Sequence, residues 1–276
     1  MRSAARIAAA VGTLLLLPLP GAGQEGRAPD PELRISPDGW GDASVPDIRA
    51  VLRSASESFL PRFPGLRLPA IEVSRSRGNP ITLYQRGPTG EIRVRLDVEG
   101  PFWARFAFQF SHELGHILCG FEDYPNPNLW FEESLCEVAS LYGLGRMSES
   151  WSRQAPYPNW KDYAPALGKY RDERLDTARE KVPDGTTFEA WFRGKEPQLR
   201  KDPHLRAANL TIAAALLPLF EEAPEHWEAV RTLNAAHGNP DRSFPRYLGD
   251  WSRSAPERHR EFIAKIAGRL GVAVER

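Results

Sequence analysis

Proline placement constrains this chain more than any other feature. Proline fills 25 of 276 positions, about 9% against a usual share of roughly 5%. Each proline removes a backbone donor and interrupts a helix interior. Such a chain is expected to build short elements and ordered loops rather than a long helical bundle. Two stretches escape the punctuation: none falls between Phe102 and Tyr124 or between Asn128 and Gln154. Unbroken helices over several turns are expected there.

Apolar spacing fills in the rest. Ile48, Val51, Leu52, Ala55 and Phe59 follow a helical period over 46–60, with Pro46 suited to a first turn. Three short strand candidates follow at 70–74, 81–85 and 91–98, the last two flanking a Gly-Pro-Thr-Gly turn that predicts a hairpin. Helices are expected from Pro101 to about Gly120 and over 129–144, 204–222, 224–237 and 256–270. Residues 146–203 are polar and weakly patterned. The class expected is α+β: a small N-terminal sheet, a central helix pair and a helical C-terminal part.

The chemistry concentrates in Ser111-His112-Glu113-Leu114-Gly115-His116. Histidines four apart on a helix leave one face about a turn apart. Two neutral imidazoles so placed can share a zinc ion, and Glu113 beside them can take a proton from a metal-bound water. A catalytic zinc needs a third protein ligand and one open position. Downstream, Trp130-Phe131-Glu132-Glu133 offers two carboxylates, at a distance that suits a loop through Pro125 and Pro127 and an antiparallel return helix. Glu133 and Glu137 share a helix face, four residues apart. A first-turn acid such as Glu132 is otherwise expected to be solvated and favoured by the helix dipole.

His-Glu-x-x-His followed by Trp-x-x-Glu-x-x-x-acid resembles the gluzincin metallopeptidases, the clan of thermolysin and the zinc aminopeptidases. The resemblance covers about residues 91–145, and it implies a zincin-like catalytic domain. Its register places Trp130 and Glu133 on the family's Trp and Glu. It implies one zinc ion per chain held by His112, His116 and Glu133, with Glu113 as general base and peptides or proteins as substrates. Glu137 then braces His112 through its free ring N–H. Relatives place a Tyr or His for the oxyanion some way downstream, and His204 is the candidate here, with Asn209, Tyr163 and Tyr170 as alternatives. Ser134 stands where the family usually has Gly. The Gly-x-Met-Glu-Asn strand of aminopeptidases is absent, so aminopeptidase activity has no support. The 91–98 strand is expected to be the edge that pairs with an extended peptide. Two other readings share these residues: a zinc-binding protein without turnover, and a zinc hydrolase of a non-peptide amide such as a cell-wall linkage.

Arg2 and Arg6 precede the apolar run Ile7–Leu19 and the small residues Gly21 to Gly23, the pattern of a secretory signal peptide over 1–23. That run is short of the roughly 20 residues a membrane span needs. Secreted or periplasmic location without a lasting anchor is therefore expected. Residues 24–45 read as a lead-in arm, and 46–276 as one catalytic domain divided near residue 145. The 36 basic and 36 acidic side chains give no surplus for nucleic-acid binding. Removing the leader leaves 34 basic against 36 acidic, a net −2.

Only Cys119 and Cys136 occur, too few for a disulfide scaffold. An antiparallel helix pair with Glu137 near His112 predicts two buried free thiols too far apart to bridge. Trp151, Trp160 and Trp191 are expected in the core or along a cleft. The Asn209-Leu210-Thr211 sequon lies within an apolar helical pattern and reads as coincidence. His226, His237 and His259 read as surface residues.

Overall fold

The computed structural model describes residues 30–179, 181–236 and 242–274. The expected signal segment lies outside them, as does His237. Four strands form one sheet: β1 (Leu33–Ile35), β2 (Ile71–Arg75), β3 (Ile81–Leu83) and β4 (Ile92–Leu96), in the order β1-β2-β4-β3. Eight α-helices accompany them among the described residues: α1 (Val45–Glu57), α2 (Trp103–Leu118), α3 (Leu129–Gln154), α4 (Ala164–Arg179), α5 (Phe188–Leu199), α6 (Arg206–Glu222), α7 (Phe244–Ser254) and α8 (Arg260–Arg269). The class is mixed α+β and mostly helical.

β1, β2 and β4 run parallel, and β3 pairs antiparallel with β4, Thr82 opposite Val94. Parallel neighbours need a crossover, and α1 supplies the first. Ser44 starts α1 by accepting the Asp47 N–H, with Pro46 in the first turn. Ile71, Val73, Ile92, Val94 and Leu96 alternate inward and are buried, covered by α1 and α2. The hairpin is as expected, but its consequence for the edge is not. β4 is hydrogen-bonded on both sides, so 91–98 is not an edge strand; β3 is. β1 falls inside the expected arm, where three residues are too few to give a visible alternation.

α2 and α3 pack against each other, and the contact is close because small residues face one another. Gly115 lies against Cys136, Gly143 lies against Ser111, and the Ser140 hydroxyl donates to the Phe108 carbonyl. α4 and α6 cover the other side of α3. Residues 146–203 are more helical than their pattern suggests. α4 buries only Ala164, Leu167, Leu175 and Ala178, and α5 carries Pro197 and buries Phe192 and Leu199. Such thin stripes leave little periodicity to read. Trp151 stacks on Trp160, which also meets Trp103, so these rings are packing groups.

The segment expected as a helix over 224–237 is a 3-10 helix at Pro224–Thr232. His226 and His259 are not free surface residues: His259 is buried and its Nδ1 lies 2.9 Å from Nδ1 of His226. His259 Nε2 faces Glu228, which also accepts from Arg258. With Nε2–H directed at Glu228, His259 Nδ1 is the acceptor of a proton carried by His226. Burial, above all, pushes both imidazoles below their ordinary pKa. His259 also repels a charge on His226, as does Lys265, while Glu225 and Glu261 oppose this; at His259, Glu228 and Glu225 oppose burial and Arg258 reinforces it. A lowered folded pKa means the unfolded chain binds more protons, so this stabilisation is complete above about pH 6.5 and declines as pH falls through the folded values. The histidines of α2 shift the opposite way, so a comparison isolates the pair. The Tm gap between wild type and His259→Gln is expected to be larger at pH 7.5 than at pH 5. An equal gap at both pH values would remove the pair's role.

Candidate metal centre

α2 is buried along most of its length, and His112 and His116 lie with Phe108 on its partly buried face, reaching carboxylates of α3. Their ring centroids lie 5.1 Å apart. α3 opens directly after the Pro125–Pro127 loop, so its first turns carry Glu132, Glu133 and Glu137 to these rings. Trp130 anchors that turn, wholly buried against Phe131, Phe192 and Phe244.

Both imidazoles turn Nε2 toward one carboxylate. His112 Nε2 lies 3.3 Å from Glu133 Oε2, and His116 Nε2 lies 3.7 Å from Glu133 Oε1. Both turn Nδ1 toward a different acid. His116 Nδ1 is 2.7 Å from Glu132 Oε1, a strong hydrogen bond, whereas His112 Nδ1 is 3.8 Å from Glu137 Oε1, within ion-pair reach only. Glu137 faces His112 but makes no hydrogen bond to it. Glu132 is buried, at 3% exposure, rather than solvated as expected. Its second oxygen accepts from Asn234 Nδ2 at 2.7 Å, a partner more than a hundred residues away that no local pattern reveals.

Glu113 is buried and accepts a 2.8 Å hydrogen bond from the Thr82 hydroxyl on β3. The free sheet edge therefore ends on the expected general base. Thr82 is a site residue that sequence reasoning missed; one hydroxyl in a three-residue strand gave no signal. His204 enters from the turn before α6, with Nδ1 3.2 Å from Glu133 Oε1 and the side chain 63% exposed. Asn209 is buried and donates to the Pro203 carbonyl, which fixes the turn carrying His204. That burial also keeps the sequon asparagine from solvent. Tyr163 and Tyr170 are occupied elsewhere, accepting from the Ala104 N–H and from Arg174.

Four carboxylates and three imidazoles within this space set an electronegative field. Burial opposes charge on Glu133, but the hydrogen bonds of His112 and His204 and the charges of His116 and His112 hold it far below the usual carboxylate range. Burial likewise opposes charge on His116; the Glu132 hydrogen bond and the charges of Glu132, Glu133 and Glu113 outweigh it and raise its pKa to about 10. His204 is raised chiefly by its bond to Glu133.

Two donor sets share the imidazoles. Cys136 Sγ and one nitrogen from each of His112 and His116 lie within 4.8 Å of one another. Cys136 is wholly buried, and burial first, then hydrogen bonding with Cys119, pushes its thiol well above the ordinary value. Glu133 instead presents an anionic oxygen to each Nε2. Glu133 meets the two imidazoles with different oxygens, whereas the Cys136 sulfur is the donor grouped within 4.8 Å of a nitrogen from each; either would add a third donor to the pair of nitrogens. Both cysteines are free and buried as expected. Cys136 sits against Gly115, one helical turn before Cys119.

No described helix is long and apolar enough to cross a membrane. Comparison of the chain with known protein families, curated proteins and solved structures finds no match.

Proposed function

We propose that this protein is a secreted, zinc-dependent metallopeptidase of zincin type. The observation that carries the reading is the convergence of two Nε2 atoms on Glu133, beside a buried Glu113 held by the sheet edge. His112, His116 and Glu133 would hold the zinc, which would supply a Lewis acid and lower the pKa of a coordinated water to about 7.

The chain's own groups do the rest. Glu113 takes the proton from the attacking water and delivers it to the leaving amine. Thr82 keeps one Glu113 oxygen fixed, so the other is the proton acceptor. His204, with Nδ1 on Glu133, offers Nε2–H to the developing oxyanion. β3, as a free edge, can pair with an extended peptide and lay its carbonyl across Glu113.

Purified protein is expected to contain about one zinc ion per chain and to cleave members of a broad peptide library. Phenanthroline should stop cleavage and added zinc should restore it. Absence of zinc would remove the metal reading. Zinc without cleavage of any peptide would move a non-catalytic zinc protein, or a hydrolase of a non-peptide amide, ahead.

A further inference from the structure

Asn234 lies in the turn that follows the 3-10 helix at Pro224–Thr232, and it is 5% exposed. Its carboxamide is used on every side. Nδ2 donates to Glu132 Oε2 at 2.7 Å and to the Cys119 carbonyl at 3.3 Å. Oδ1 accepts from the hydroxyls of Tyr124 and Tyr247, each at 3.0 Å. An amide has two N–H donors and two acceptor lone pairs, and all four are spent here. Two hydroxyl donors on one side, with a carboxylate and a carbonyl on the other, leave a single possible orientation.

That orientation reaches the metal centre through one residue. Glu132 spends Oε2 on Asn234 and Oε1 on His116 Nδ1. With the carboxylate fixed, His116 keeps its proton on Nδ1 and presents Nε2 toward Glu133. The partners come from the end of α2, the α2–α3 loop, α3 and α7, so the network also joins the C-terminal part to both metal helices.

We infer that Asn234 is a positioning residue for the metal, setting zinc affinity through Glu132 and His116, with Tyr124 and Tyr247 holding its amide. This rests on the zinc reading above. Groups bonded directly to metal-ligating histidines change affinity by about 10–100-fold when removed; Asn234 acts through such a group, Glu132, so its loss belongs at the low end of that range.

Zinc affinity by chelator competition, together with the visible absorption of the cobalt-substituted protein, tests the assignment. Asn234→Ala is expected to bind zinc about 10-fold more weakly and to shift the cobalt bands. Asn234→Asp fills the same space but offers Glu132 no N–H. A space-filling role predicts wild-type affinity for that variant; a positioning role predicts a loss as large as that of Asn234→Ala. Tyr247→Phe removes one hydroxyl, leaves the amide in place, and should weaken zinc in the same direction by less. It decides the matter if both Asn234 variants fail to fold. Wild-type affinity and cobalt spectrum in the folded variants would overturn the assignment and leave the zinc reading intact. A wild-type protein that takes up no zinc would overturn both.

Discussion

Glu113→Gln is expected to retain zinc and lose peptide cleavage by at least about a thousandfold, within the 10²–10⁴ span that general-base catalysis supplies. The substitution keeps the shape of the side chain. A glutamine Oε1 still accepts from the Thr82 hydroxyl, which reaches Glu113 Oε2 at 2.8 Å, so the side chain stays where it is. What disappears is the ability to take a proton. Because His112, His116 and Glu133 are untouched, metal content should match wild type. The loss should fall on kcat with KM little changed, as when an interaction made in the transition state is removed. His112→Ala provides the contrast, since it removes one Nε2 from the ligand set and should lose zinc and cleavage together. A Glu113→Gln protein that keeps a tenth of wild-type turnover would exclude Glu113 as the base.

The parts of this site readable from sequence are those that a helix period fixes. His112 and His116, and Glu133 and Glu137, share faces because they lie four residues apart, and the proline-free stretches mark the helices that carry them. The unread parts depend on distant chain. Glu132 looked like a solvated first-turn acid, and becomes a buried partner of His116 only because Asn234, Tyr124 and Tyr247 arrive around it. The edge of the sheet was misplaced for a related reason. The hairpin sequence says that β3 and β4 pair, but not that β2 takes the other side of β4. Helix direction was readable, but how far α3 slides along α2 is set by which small residues meet, as Gly115 does against Cys136.

That contact sets up the second large effect. A Cβ at Gly115 would stand 3.0 Å from Cys136 Sγ and 3.1 Å from Cys136 Cα. The sulfur can rotate away, but the Cα belongs to the α3 backbone and can retreat only if the helix moves. Overpacking of this kind costs about 1–3 kcal/mol, and a branched side chain leaves less room for relief than a methyl. Gly115→Val is therefore expected to lower Tm by several degrees, at roughly 2–4 °C per kcal/mol for a chain of this size. The displacement also has a chemical consequence. Glu132, Glu133 and Glu137 ride on the turns of α3 around Cys136, while their imidazole partners ride on α2. Moving one helix off the other opens the distances of 3.3 and 3.7 Å between Glu133 and the two Nε2 atoms, so zinc affinity should fall along with Tm. Gly194 supplies the opposite sign: in α5 a Cβ there meets nothing within 4 Å, and alanine should stabilise by about 0.5–1 kcal/mol by restricting the unfolded chain. Calorimetry and zinc titration of Gly115→Val beside Gly194→Ala give the comparison. Wild-type Tm and zinc affinity in Gly115→Val would mean that α3 accommodates the side chain without moving, and that the close approach of the helices does not hold the metal ligands in place.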